Sequence, residues 1–244
     1  GQLIGIIENK NSSLSFATER TVDALGRIVA EKYSLPGKDN YANIAILYSD
    51  GNNKVTSFTD ANGLTTYNYY NKSMQIVRTE NRIMRAEFVY DTAARVIQKN
   101  TWKIKSFDTA SNKGVPDESS KITSEYSYDE GNGDLKTIYE SSGGTLKCTI
   151  AMTYRSDGLL KSRTYTPGNS TQPYNRKETF TYDARKRLVN YTCDGSSLIK
   201  DSDGNRIQSQ SFEYDNYNNI LSIMSMCSSG KGTFPTLMSR SEER

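Results

Sequence analysis

At 244 residues the chain has length for one or two domains, but only 35% of it is apolar and Tyr occurs 17 times. With abundant Ser, Thr and Asn, this mixture suits half-buried pleated surfaces and disfavours long helices. A net charge of +3, from 31 basic and 28 acidic residues, supplies no strong field toward nucleic acid or an anionic membrane, and the absence of histidine removes Ser-His-Asp, Cys-His and His-ligated metal chemistry.

In chain order, Gly1 to Ile7 is apolar but too short for a signal-peptide core, has no basic leader and does not begin with Met. It reads as an internal cut or processed start, with residues 1–20 an N-terminal strand or fragment edge. A short phrase then recurs: an aromatic, any residue, then Tyr-Asp. Degenerate copies begin at Val22, Tyr48, Tyr70 and Tyr154, and intact ones end at Tyr90-Asp91, Tyr128-Asp129, Tyr182-Asp183 and Tyr214-Asp215. Two intact copies continue into Arg and aliphatics, Arg95-Val96-Ile97 and Arg187-Leu188-Val189. A periodic sequence of this kind predicts stacked supersecondary units.

Each copy predicts strand, turn, strand. In Glu178-Thr179-Phe180-Thr181-Tyr182 the aromatics alternate with polar residues, so Phe180 and Tyr182 share a face. The Asp that follows can accept backbone N–H bonds two residues on, and Gly26 supplies the positive φ that such turns require. Second turns are predicted between units at Asp50-Gly51, Asn62-Gly63, Asp157-Gly158, Asp194-Gly195 and Asp203-Gly204. The nearest approach to helical periodicity is Arg78 to Phe88, and strands are favoured there too. Ser106 to Ser120 and Thr166 to Lys177 read as surface loops. The repeat region spans 21–223, and residues 224–244 are expected to form a polar, poorly ordered tail.

Motifs with chemical content are weak. Asp201-Ser202-Asp203-Gly204 lacks the third acidic position and the Glu of a calcium loop, Gly131-Asn132-Gly133 has no following helix, and Ser229-Gly230-Lys231-Gly232-Thr233 misses phosphate-loop spacing. Arg185-Lys186-Arg187 reads as a solvated turn. Cys148, Cys193 and Cys227 are odd in number and widely spaced, which argues against a disulfide framework. No run of about 18 apolar residues is present to span a membrane. No catalytic, cofactor or metal residue is assigned.

The phrase Tyr-Asp-x-x-x-Arg-Leu, with Thr59-Asp60-Ala61-Asn62-Gly63-Leu64-Thr65-Thr66-Tyr67-Asn68-Tyr69, resembles the RHS or YD repeat from about Thr21 to Ile223. Arg187 to Gly195, Asp203-Gly204-Asn205 and Gln210 to Asp215 look most like RHS regions of bacterial insecticidal toxin complex (Tc) proteins and Rhs toxins. The resemblance implies an all-β fold of tandem antiparallel strand-turn-strand repeats, forming a curved, spiralling sheet that is part of a hollow shell. Its structural repeat residues would be Tyr90, Asp91, Arg95, Tyr128, Asp129, Tyr182, Asp183, Arg187, Tyr214 and Asp215. The implied function is encapsulation of a toxic polypeptide cargo, without catalysis or cofactor, in a secreted or extracellular complex with other shell segments or subunits.

The chain is too short to close such a shell, so the resemblance implies a fragment or one partner of a composite wall. It also lacks the Asp-Pro pair of the family's self-cleaving core, so no self-cleavage is assigned. A different reading makes the exposed Tyr, Lys and Arg residues a carbohydrate-binding or cell-surface adhesion module, with a glycan as partner. Carboxylate catalysis ranks last for want of a paired constellation.

Overall fold

The computed structural model describes residues 5–9, 15–35, 38–49, 53–169, 175–200, 204–227 and 234–237. The chain divides into two compact units, Gly1–Ile122 and Thr123–Arg244. Among the described residues the only helical segment is a single 3-10 turn, Glu118–Ser120, and no helix is long and apolar enough to cross a membrane.

The first unit is an antiparallel meander of β1 (Gly5–Asn9), β2 (Ser15–Val22), β3 (Ile28–Leu35), β4 (Lys38–Tyr48), β5 (Val55–Thr59), β6 (Thr65–Tyr70), β7 (Ile76–Glu80), β8 (Met84–Tyr90), β9 (Val96–Asp108) and β10 (Lys113–Pro116). Each strand pairs with the next in sequence. The second unit contains β11 (Ile122–Tyr128), β12 (Leu135–Ser142), β13 (Thr145–Tyr154), β14 (Leu160–Pro167), β15 (Arg176–Tyr182), β16 (Leu188–Gly195), β17 (Ile207–Tyr214), β18 (Ile220–Cys227) and β19 (Phe234–Leu237). From β12 to β19 the neighbours are again consecutive and antiparallel. The fold is therefore all-β, built of hairpins in series, with short connections that keep sequence neighbours adjacent in the sheet.

Few side chains are fully enclosed. Among the described residues the buried apolar ones are Ala86, Trp102, Cys148, Tyr191, Cys193, Ile207 and Cys227. Tyr191, Cys193 and Ile207 form one cluster, against which Phe180, Leu198 and Phe212 pack. Phe180 and Tyr191 are register partners whose rings stand 5.6 Å apart, a tilted aromatic pair on one sheet face.

Several expectations are corrected by these elements. Ser106 to Ser120 is no irregular loop: β9 runs on to Asp108, turns, returns as β10 and ends in the 3-10 turn, which Asp117 caps through the Ser119 N–H. This hairpin folds back on side chains of β6 to β8. The Phe107 ring stacks 6.5 Å from Tyr67, the Tyr69 hydroxyl donates to the Asn112 carbonyl, and Arg85 Nη2 donates to the Gly114 carbonyl. As expected, Arg78 to Phe88 is strand, forming β7 and β8 around a turn that the Asn81 side chain closes by accepting the Ile83 and Met84 N–H groups.

Asp157-Gly158 lies inside the turn of the Tyr154 unit, because the Arg155 N–H donates to the Leu159 carbonyl there. Thr166 and Pro167 end β14, while Arg176 and Lys177 begin β15, so both ends of that expected loop are strand. The N-terminal segment ending at 20 cuts through β2, and β18 continues to Cys227 with β19 beside it, inside the expected tail. Asp50-Gly51, Asp201 to Asp203, Ser229 to Thr233 and the remaining tail after 237 lie outside the described residues.

Candidate functional site

The repeated Tyr-Asp turn is the feature that recurs through both units, and its geometry is nearly constant. At Tyr90-Asp91, the Asp91 N–H donates to the Arg95 carbonyl at 2.9 Å and the Ala94 N–H donates to the Asp91 carbonyl at 3.1 Å. Asp91 Oδ1 accepts the N–H groups of Ala93 and Arg95, both at 2.9 Å, and Oδ2 meets Arg95 Nε at 2.7 Å. Asp183 repeats this set with Arg185 and Arg187, and Asp23 with Leu25 and Arg27. At Asp215 the place of Arg is taken by Asn219, whose Nδ2 donates to Oδ2 at 2.7 Å. At Asp129 the turn is longer, and its carboxylate accepts the Gly131 and Asn132 N–H groups.

These bonds satisfy the ionised carboxylate. The Arg95 N–H foremost, then the Arg95 guanidinium, hold the Asp91 carboxyl below its ordinary value of 3.8. Asp183 and Asp23 are lowered by the equivalent groups, and Asp129 by the Gly131 and Asn132 N–H groups.

In six units the Tyr reaches back to the strand pair before it. Its hydroxyl donates to the carbonyl of the residue that opens the second strand there: Tyr48 to Ile28, Tyr70 to Val55, Tyr90 to Ile76, Tyr154 to Leu135, Tyr182 to Leu160 and Tyr214 to Leu188, at 2.6 to 3.1 Å. A β-bulge makes that carbonyl reachable. Tyr90 opposes Val96 while Val89 opposes Gln98, which leaves Ile97 as the extra residue, and the same shift occurs at Val22, Tyr48, Tyr70, Tyr154, Tyr182 and Tyr214. Basic residues add a second link across units. Arg27 lies 4.4 Å over the Tyr48 ring, Lys54 5.7 Å over Tyr70, Arg155 5.8 Å over Tyr182 and Arg187 4.6 Å over Tyr214. The Arg185-Lys186-Arg187 turn is likewise tied down, with Arg185 Nη1 donating to the Asn216 carbonyl.

Two residues that sequence reasoning missed are the most buried charges, Glu80 and Glu178, each 1% exposed. Glu80 Oε2 pairs with Arg85 Nε at 2.7 Å and its Oε1 accepts the Gly114 N–H. Glu178 Oε2 pairs with Arg163 Nε at 2.5 Å and its Oε1 accepts the Tyr191 hydroxyl at 3.1 Å. Burial and the neighbouring Cys193 thiol and Glu178 push the Tyr191 hydroxyl's pKa far up, so this phenol stays protonated and donates. In both sites a second Arg lies two residues back on the same strand, Arg78 and Arg176, stacked over its register partner Tyr69 or Tyr165. The signal in the sequence is Arg-x-Glu within a strand, Arg78-Thr79-Glu80 and Arg176-Lys177-Glu178, which puts both charges on one face. Among the described residues no group of three or more Cys, Asp or Glu could hold a metal ion.

No protein-family model matches the chain, and no curated protein matches it. Among solved structures, it is similar to a chain of the Photorhabdus luminescens Tc holotoxin pore, at 14% identity and a TM-score of 0.60, over 92% of this chain and 12% of that one. A crystal structure containing TcdB2 and TccC3 matches at 12% identity and a TM-score of 0.47, over 98% and 16% of the two chains. A porin-like protein from Bacteroides uniformis matches at 9% identity and a TM-score of 0.41, over 94% and 90%. The fold is thus one shared with a stretch of a Tc toxin chain, and this chain spans 12% of that chain's length.

Proposed function

We propose that the chain is a wall segment of a toxin-complex shell, built from YD repeats, whose role is to enclose and protect a polypeptide cargo. The observation that carries the reading is the coupling of six repeat units to their predecessors by one tyrosine hydroxyl each and, in four of them, by a basic side chain over the ring. Units joined in this way extend a sheet by repetition, as a wall requires, and none of these contacts uses a reactive group. The fold likeness to the Tc holotoxin chain supports the same reading.

On this proposal the mechanism is steric and needs neither catalysis nor cofactor. The wall separates cargo from proteases and keeps it from the surroundings until the assembly opens. Its partners are the cargo and further shell segments, and its setting is a secreted complex. The test uses the assembled parent particle. Cargo that resists protease in the intact particle and becomes cleavable when residues 21–223 are deleted supports the role, provided the remaining shell still assembles by electron microscopy. Cargo equally resistant in both particles, or this segment found outside any closed wall, overturns it.

A further inference from the structure

Four repeat tyrosines carry a basic side chain from the preceding turn over their rings. Among the described residues, no basic side chain lies over Tyr90 or Tyr154. The turn before Tyr90 ends in Gln75 and the turn before Tyr154 ends in Asp134, where Arg27, Lys54 or Arg187 stands in three other units; over Tyr182 the cation is Arg155, which opens its turn rather than ending it. Each of these two tyrosines lines an open cavity, of about 630 Å³ at Tyr90 and about 380 Å³ at Tyr154. Space remains beside both rings, and the Tyr90 cavity also borders Tyr70 with its Lys54.

The two cavities differ in charge. That at Tyr90 is lined by neutral groups such as Gln75, Asn53 and Asn68, with Lys54 already placed over Tyr70. That at Tyr154 is lined by Asp129 and Asp134, with Met152 as an apolar wall. Lys136 and Arg155 line it too, but Arg155 pairs with Asp157 at 3.0 Å and extends over Tyr182, and Lys136 acts on Asp129. Asp134 Oδ2 accepts a neutral amide, Asn132 Nδ2, at 2.8 Å. Its negative charge stands at the turn-ending position that Arg27, Lys54 and Arg187 hold in three other units. The cavity's volume falls within the range of small-ligand sites.

We propose that the Tyr154 cavity binds a guanidinium or alkylammonium group from outside the chain, seated on the Tyr154 ring and paired with Asp134. The protein's own repeats provide the precedent, because Arg187 over Tyr214 shows how a guanidinium fits against this tyrosine. The assignment stands independently of the enclosure reading, since it concerns one cavity of the second unit. The cation's source is either a free amine or an arginine side chain of another polypeptide.

The 244-residue chain, labelled at its tyrosine ring carbons, would be titrated with agmatine and, separately, with acetyl-Gly-Arg-Gly-amide, the Tyr154 signal being assigned by its loss in Tyr154→Phe. Saturable shifts at Tyr154 with a Kd in roughly the millimolar range are expected. Binding should weaken at least about fivefold in Asp134→Asn, as an ion pair is lost, and vanish in Asp134→Arg, which fills the slot internally. Equal affinity for both probes identifies a free amine as sufficient, and tighter binding of the peptide identifies a polypeptide arginine; both support the site. An absence of saturable shift with either probe overturns it. So does an equal shift with neutral propylurea on the unaltered chain, a measurement that does not depend on a variant folding.

Discussion

The carboxylates of Asp23, Asp91 and Asp183 each bind backbone and side chain together, so their charge is coupled to folding. In Asp23, Asp91 and Asp183 the folded carboxyl titrates below the ordinary value of 3.8, so between the two values the unfolded chain binds more protons. The stability these turns contribute is fully present above about pH 5 and is lost as pH falls through the folded values. Urea melts between pH 7 and pH 3 should show this loss, and Asp183→Asn should have a shallower pH dependence over the same interval. The tyrosine hydroxyl is a separate term. Tyr182→Phe removes the 3.0 Å bond to the Leu160 carbonyl and should lower stability by about 1 kcal/mol in denaturant titrations.

Elements respond to different constraints, and β10 is the sharpest case. A methyl group on Gly114 would stand 2.7 Å from Ile104 Cδ1 and 2.9 Å from Glu80 Oε1, so the hairpin packs closely only because no side chain is present. Gly114→Ala should cost about 1–3 kcal/mol by overpacking, with a drop in melting temperature and faster amide exchange in β10 as the readouts. The buried Glu80 beneath it is held by Arg85 and the Gly114 N–H. Glu80→Ala strands the mostly buried Arg85 guanidinium and should destabilise by about 3 kcal/mol in the same assay. Turns differ in their own way. Ala94 sits at φ 64°, where Gly26 and Gly158 occur in equivalent turns, and Ala94→Gly should raise stability by about 0.5 kcal/mol by removing the Cβ conflict.

For the whole molecule, pairing between consecutive strands makes stability a sum of neighbouring links rather than the property of one central core. Tyr90→Phe lies in the first unit and Tyr182→Phe in the second, and they share no hydrogen-bond partner. Their effects should add within about 0.5 kcal/mol in the double variant, and a larger deviation in denaturant melts would overturn this additivity. A net charge of +3 adds no strong global field to these local terms.

Sequence by itself determined the all-β class and the positions of the Tyr-Asp turns, because alternation and turn chemistry act within about a dozen residues: Phe180, Tyr182 and Asp183 announce strand and turn without reference to distant contacts. It left the Tyr hydroxyls without partners, since the acceptor of Tyr182 is 22 residues away, at the bulge of the preceding unit. The charge reversal at Asp134 was also written in the sequence, but its meaning required the Arg187 and Tyr214 pair to be seen across two units. Tertiary structure alone decided that Ser106 to Ser120 folds back as a hairpin and a 3-10 turn, and that Glu80 and Glu178 are buried. The physical reason is common to both. A polar strand or a charged side chain is enclosed only when distant groups complete its hydrogen bonds, and no local pattern specifies them.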